Sequence, residues 1–198
     1  GSVSTFSARS QNGQVRKRLV VLLFALVVVA GSAARAGDRP VLQGVVVGVV
    51  DGDTADIRLD SGMIRIRFHA IDAPESGQPN GKAAKAALSQ LIFGKVVEVE
   101  PFEQDRYDRL VARVWLDGQD VNAEMVKSGN AWTYRRYADE PAYCAYEKAA
   151  RDLGRGLWRL PPADRVAPWQ WRQRKSRAGR FTDYSQETVA ACVAALGR

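Results

Sequence analysis

Three acidic residues stand at the ends of predicted strands, where they could act together on a phosphate group. Asp53 follows the turn after the first strand, and Asp72 and Glu75 end the third. Pro74 restricts the preceding residue, Ala73, to an extended conformation, so the two acids leave the strand along a defined path. Carboxylates and a free backbone carbonyl are hard oxygen ligands suited to Ca²⁺. A single aspartate beside a turn can instead cap that turn, which stays the alternative.

Arginines accompany these acids. Arg67 shares one face of the third predicted strand with Arg65, and Arg106, Tyr107 and Arg109 lie in the loop before the fifth. A guanidinium offers a rigid fork of donors that matches phosphate oxygens and stays charged. Such a face is either a solvated surface or an anion site. Hydrolysis of a phosphodiester needs a positioned water and neutralised oxygen charge, which a metal, two arginines and a free carboxylate would supply.

The elements that must position these residues are typical of a small barrel. Alternating and β-branched segments predict strands at residues 45–50, 54–59, 63–71, 95–102 and 110–116. Helical spacing predicts helices at 81–93, 120–128 and 139–153, and a short terminal one at 185–196. Five short strands with helices after the third and the fifth indicate an α+β fold, mainly β: a five-stranded OB-fold barrel with about three helices.

These residues together resemble the staphylococcal nuclease (thermonuclease-like) family. The agreement runs from about Val45 to Trp158, and its strongest motifs are DGDT at 51–54, RFHAIDAPE at 67–75 and DRYDR at 105–109. Each motif alone is weak, but together and in this order they are specific. The resemblance implies an enzyme that hydrolyses DNA and RNA with Ca²⁺ and little sequence preference, leaving 3′-phosphate ends.

The resemblance also implies roles for individual residues. Three positions match calcium ligands of the family: Asp53, Asp72 and, through its backbone carbonyl, Ala73. Glu75 matches the general base of the family, and Arg67 and Arg109 match its phosphate-binding arginines. Arg106 and Tyr107 are candidates for contacts to a terminal phosphate of the nucleotide. Tyr134 and Tyr137 are candidates for contacts to a base. His69, the only histidine, is interpreted as a strand-surface or rim residue because Glu75 is the better placed base.

Three departures from the best-known family member fall near this site. Ala73 stands where that member has threonine, which a backbone ligand tolerates. Asp108 stands where it has glycine, and an added carboxylate there would weaken phosphate affinity. Residues 76–82 form a shorter loop, which affects substrate access and the position of the base.

The first 36 residues predict a secretory leader. They hold five basic residues and no acidic one, and without them the net charge of +7 falls to +2. A basic cluster precedes a 12-residue apolar run, Leu19 to Ala30, and an A-x-A pattern ends at Ala36. This run is short for a hydrocarbon core of roughly 30 Å. We expect cleavage; an uncleaved membrane anchor is the alternative.

The whole chain has the composition of a globular protein, with 46% hydrophobic and 26% charged residues, which excludes disordered, collagen-like and polytopic membrane classes. We expect a nuclease domain at 37–160 and a basic, tryptophan-containing extension at 161–198. Trp169 and Trp171 interleave with basic residues, which form either a nucleic-acid-binding arm or a packed tryptophan pair with solvated charges. Cys144 and Cys192 indicate a disulfide in an oxidising compartment; two buried thiols are the alternative.

The sequence therefore predicts a secreted or periplasmic, Ca²⁺-dependent nuclease that acts as a monomer, prefers single-stranded substrates and leaves the membrane once its leader is removed. The first alternative is a non-catalytic, single-stranded nucleic-acid-binding module on the same fold. The second is an envelope protein held by an uncleaved leader.

Overall fold

The computed structural model describes Gly1, residues 40–173 and residues 181–198. Apart from Gly1, the predicted leader lies outside the described residues, as does part of the basic extension, 174–180. Strands are β1 (Leu42–Asp51), β2 (Thr54–Leu59), β3 (Gly62–Phe68), β4 (Ile71–Asp72), β5 (Val96–Gln104), β6 (Leu110–Leu116), β7 (Gln119–Asp120) and β8 (Trp132–Thr133). Helices are α1 (Gly81–Ile92), α2 (Val121–Lys127), α3 (Pro141–Asp152), α4 (Pro168–Trp171) and α5 (Val189–Ala194). In these residues we find no helix long and apolar enough to cross a bilayer.

Five strands close into a barrel. β1 pairs antiparallel with β2 and β5, and β2–β3 and β5–β6 are antiparallel as well. A parallel pairing of β3 with β6 closes the ring, with Arg67 opposite Val111 and Phe68 opposite Ala112. The predicted five-stranded OB-type barrel is confirmed.

Alternate residues of the five strands fill the barrel interior. Each strand contributes a fully buried side chain: Val46, Ile57, Ile66, Val99 and Val114. Burying such an aliphatic side chain stabilises the fold by about 1.5–3 kcal/mol. A slip of one residue in strand pairing would turn these side chains outward, so the core fixes the register of the strands. The register in turn fixes which end of the barrel carries the polar residues at the strand ends.

The end of the third strand was predicted wrongly. β3 stops at Phe68 rather than Ile71, because Ala70 has a φ of 65°, a left-handed conformation that a strand does not contain. Ile71 and Asp72 form the separate strand β4, which pairs with β8. Asp72 is therefore positioned by a different sheet from the one that carries Arg67.

Two helices begin later than predicted. α3 begins at Pro141 rather than Asp139, since proline is suited to the first turn of a helix. α5 begins at Val189, because the Thr188 hydroxyl accepts a hydrogen bond of 3.1 Å from the Ala191 N–H and caps the helix there.

The C-terminal helix is attached covalently to the body. Cys144 of α3 and Cys192 of α5 form a disulfide with an S–S distance of 2.01 Å. The bridge spans a sequence separation of 48 residues. Limiting the freedom of a loop of that length in the unfolded chain stabilises the fold by about 4 kcal/mol.

A buried ion-pair network reinforces the same attachment. Glu147, only 1% exposed, accepts hydrogen bonds of 2.6 and 2.8 Å from the Arg135 guanidinium. Its Oε2 also accepts a bond of 2.8 Å from the Thr133 N–H, and Arg135 pairs further with Glu187. Strand β8, helix α3 and the segment before α5 are thereby held together.

One tryptophan of the extension packs on the body. The Trp169 ring lies edge-to-face with Trp132 and Tyr184, at 5.9 Å between ring centroids in both cases. Of the two interpretations of the tryptophan-rich segment, packing describes Trp169.

Candidate active site

The predicted site residues share one cleft. Its volume is about 770 Å³, and its walls come from the turn after β1, the ends of β3 and β4, the β5–β6 loop and the segment after β8. All ten of them line it: Asp53, Arg67, Asp72, Ala73, Glu75, Arg106, Tyr107, Arg109, Tyr134 and Tyr137.

Arg67 joins the two innermost acids. Its Nε lies 3.2 Å from Asp53 Oδ1 and its Nη2 lies 3.0 Å from Asp72 Oδ1. The remaining nitrogen, Nη1, donates to the carbonyls of Phe68 and Ile71 at 2.7 and 2.8 Å. The planar guanidinium therefore fixes two carboxylates that lie 19 residues apart in the sequence.

Asp53 is held in a tight turn. Its Oδ2 accepts a hydrogen bond of 2.6 Å from the Ala73 N–H. A Cβ on the preceding Gly52 would lie 2.6 Å from the Cβ of Ala73 and 2.8 Å from that of Ala84. Only glycine permits this approach, which explains why the acid is preceded by glycine.

Burial makes the two inner acids hard to ionise. Desolvation raises the pKa of Asp53 to about 7, with Arg67 opposing and the charges of Asp51 and Asp72 adding to the rise. Desolvation also raises the pKa of Asp72, although Arg67 and Arg172 oppose it. The pair therefore favours a further positive charge.

We expect the metal-free protein to lose stability as the pH rises through this range. The pKa of Asp53 is 3.8 in an ordinary environment and about 7 in the fold, so the folded state retains a proton that the unfolded chain releases. Its contribution is complete below the ordinary value and is lost by about pH 7. Urea unfolding in chelator should show the free energy of unfolding of the wild type falling relative to Asp53→Asn between about pH 4 and pH 8. Parallel pH profiles would contradict the shift.

Glu75 has a rigid backbone and a half-exposed carboxylate. Its N–H donates to Gln78 Oε1 at 3.2 Å, and its carbonyl accepts from the Gln78 N–H at 2.8 Å. A Cβ on Gly81 would lie 1.9 Å from the Glu75 carbonyl oxygen, so the start of α1 packs directly on this loop. The buried Gln78 also donates its Nε2–H to the Val166 carbonyl. Gln78 was missed by sequence reasoning, because a glutamine in a short loop gives no motif.

The β5–β6 loop presents the second predicted arginine. Arg109 pairs with Asp105, at 2.8 Å from Nε and 2.7 Å from Nη2 to Oδ2. The guanidinium carbons of Arg106 and Arg109 lie 4.8 and 5.5 Å from the centre of the exposed Tyr107 ring. Asp108 has a φ of 59°, a conformation that aspartate tolerates better than most residues. Because glycine adopts this left-handed conformation readily, the turn geometry at Asp108 also suits the glycine that the best-known family member has at this position.

The aromatic candidates lie on the other wall. Tyr134 and Tyr137 meet edge-to-face at 4.9 Å, and Tyr134 stacks on Trp169 with centroids 5.4 Å apart and planes 6° from parallel. His69 stacks on Phe102 at 4.0 Å, and burial lowers its pKa. A stacked imidazole with a lowered pKa fits the interpretation of His69 as a strand-surface or rim residue rather than a base.

A third arginine enters the cleft from the extension. Arg172 Nη1 lies 3.1 Å from Asp72 Oδ1 and 2.8 Å from Glu75 Oε1, and its Nη2 lies 2.8 Å from Asp72 Oδ2. The sequence placed Arg172 in the basic arm and not in the site. It lies about 100 residues from both acids, outside the recognised motifs, so only the folded chain reveals the contact.

Known proteins are similar in sequence to much of this chain. A protein-family profile described as "Staphylococcal nuclease homologue" matches residues 65–160. An "Uncharacterized endonuclease" of Escherichia coli is 42% identical over 135 residues, which covers 68% of this chain and 87% of the relative. A "Micrococcal nuclease" of Shigella flexneri is 40% identical over 148 residues, covering 69% and 83%. An "Uncharacterized endonuclease" of Haemophilus influenzae is 38% identical over 142 residues, covering 70% and 77%.

Proposed function

This chain belongs to the staphylococcal nuclease homologue family and has a nucleic-acid-hydrolysing function, and we propose that it cleaves DNA and RNA with Ca²⁺, leaving 3′-phosphate ends. The observation that carries the proposal is the convergence of five side chains from separate segments on one cleft: Asp53, Arg67, Asp72, Glu75 and Arg109.

The donor chemistry of the site fits a hard divalent cation. Within the described ranges, no three His, Cys, Asp or Glu side chains are grouped as a metal site, so a cation here would depend on two carboxylates together with backbone and water oxygens. Asp53 and Asp72 are buried, and burial with mutual repulsion raises the pKa of Asp53, which a bound cation would reverse. We assign Asp53, Asp72 and the Ala73 carbonyl to Ca²⁺. When bound, the ion supplies positive charge for a phosphate oxygen.

Glu75 acts as the general base in this proposal. Its carboxylate accepts a proton from water while the water oxygen forms a bond to phosphorus. The bond from phosphorus to the 5′ oxygen breaks, this oxygen takes up a proton, and the phosphate stays on the 3′ oxygen. Arg67 and Arg109 bind the phosphate and neutralise charge that grows on its oxygens.

The surrounding residues suit a nucleotide chain. Arg106 and Tyr107 are assigned to a terminal phosphate, and Tyr134 or the more exposed Tyr137 to a base, because aromatic rings stack on bases of any sequence. We assign a single-stranded preference and a monomeric state to the enzyme. The disulfide supports secretion or a periplasmic location, with an anchored form through an uncleaved leader as the alternative.

Single-stranded DNA hydrolysis tests the proposal. The purified protein should degrade it with Ca²⁺ and stop when a chelator is added. The new 3′ ends should resist extension by a polymerase until a phosphatase is applied. Binding without cleavage by a folded protein would instead support a non-catalytic binding module. Cleavage that persists in chelator would exclude a metal-dependent mechanism.

A further inference from the structure

The extension delivers Arg172 into the cleft from a fixed base. Trp169 stacks in parallel on Tyr134, with 5.4 Å between ring centroids. A few residues earlier, the Val166 carbonyl accepts a hydrogen bond from the side chain of Gln78, in the loop that carries the general base. The backbone before Arg172 is thus attached to both walls of the site.

The Arg172 head group bonds one acid of the proposed cation site, Asp72, and the proposed base beside it, Glu75. It bonds both oxygens of Asp72, at 3.1 and 2.8 Å, and one oxygen of Glu75, at 2.8 Å. Asp72 Oδ1 also accepts from Arg67 at 3.0 Å. A carboxylate oxygen has about two lone pairs, so Oδ1 has none left for a metal and Oδ2 has one.

The arginine is the movable partner in this contact. Its side chain is 42% exposed, whereas that of Asp72 is 2% exposed. Arg172 can turn into solvent while the backbone before it stays packed. Arg67 then stays paired with Asp53 and Asp72, while Asp72 and Glu75 both lose their bonds to Arg172. This excess of negative charge favours a divalent cation.

We propose that Arg172 takes the place of the divalent cation on Asp72 while it also pairs with the neighbouring base Glu75, and that Arg172 and the cation exchange, so that Arg172 weakens cation binding. The inference rests on the proposed Ca²⁺-dependent function. In the metal-free enzyme Arg172 neutralises the two acids, and cation binding requires it to release Asp72.

The test measures Ca²⁺ affinity directly. We expect isothermal titration of Arg172→Gln to give a Kd about tenfold lower than that of the wild type, equivalent to about 1.4 kcal/mol. Arg136→Gln is the matched control, because Arg136 is exposed and lines the same cleft but contacts the Tyr137 ring at 5.6 Å. Arg136→Gln removes the same charge from the cleft but leaves the contact of Arg172 with Asp72 and Glu75 in place. The Kd of this variant should therefore change less than about threefold.

A lysine variant keeps the test valid if the glutamine variant does not fold. Arg172→Lys retains the charge but loses the bidentate fork, so its Kd should lie between those of wild type and Arg172→Gln. Thermal unfolding in chelator establishes that each variant is folded.

Three results would overturn the exchange. An unchanged or higher Kd in the Arg172 variants, with chelator-sensitive cleavage by the wild type, refutes the exchange alone. Equal tightening by Arg172→Gln and Arg136→Gln reduces the effect to overall charge. No Ca²⁺ binding by wild type or variants, together with no cleavage, refutes the exchange and the proposed function together.

Discussion

Replacing Glu75 with glutamine is expected to lower kcat for hydrolysis of single-stranded DNA by about 100- to 10,000-fold. The amide keeps the size of the side chain but cannot take a proton from water. The loop backbone is held by Gln78 and by the start of α1, so the fold should be unaffected. Steady-state kinetics measures the effect. Ca²⁺ is kept saturating because the substitution also removes one contact of Arg172, which by the proposed exchange changes the affinity for Ca²⁺.

The matched control is Glu103→Gln. Glu103 is an exposed carboxylate that lines the same cleft, so this variant removes one negative charge there without removing the proposed base. Its kcat should remain within about threefold of the wild type, as expected for an exposed charge. Wild-type kcat in Glu75→Gln would exclude Glu75 as the base.

Replacing Glu147 with alanine is expected to reduce the free energy of unfolding by about 3–5 kcal/mol. Glu147 is buried between Arg135 and Arg151 and also accepts the Thr133 N–H. Its removal leaves buried guanidinium charge and a backbone donor without this partner. Guanidinium chloride unfolding of the oxidised protein measures the loss.

The neighbouring pair on the same helix provides the control. Lys148 bonds both oxygens of Asp152 at 2.6 Å, one turn along α3, but the pair is exposed to solvent. Lys148→Ala should therefore change the free energy of unfolding by about 0–1 kcal/mol. Similar losses in Glu147→Ala and Lys148→Ala would show that burial does not determine the contribution of an ion pair here.

The sequence predicted the elements whose pattern is local. β2 and β6 have the predicted bounds, because alternating apolar residues mark a strand that is buried on one face. The motif residues were placed at strand ends and tight turns, and in the structure they line one cleft. Local chemistry was sufficient for these features.

Features that depend on distant contacts could not be predicted in this way. Ala70 gives no sign of a left-handed conformation, so the strand was extended past Phe68. Arg172 is one of six basic residues between Arg165 and Arg180, and nothing in that run distinguishes the one that reaches Asp72. Such partners are chosen by tertiary packing rather than by neighbouring residues.

The Cys144–Cys192 bridge also determines what a protease can remove. The segment that carries Arg172 lies inside the covalent ring that this bridge closes. A single backbone cut anywhere between the two cysteines opens the ring but leaves both pieces joined through sulfur. The extension can therefore be nicked once without being shed, and releasing the segment that carries Arg172 requires a second cut within the ring or, after a single cut, a reductant.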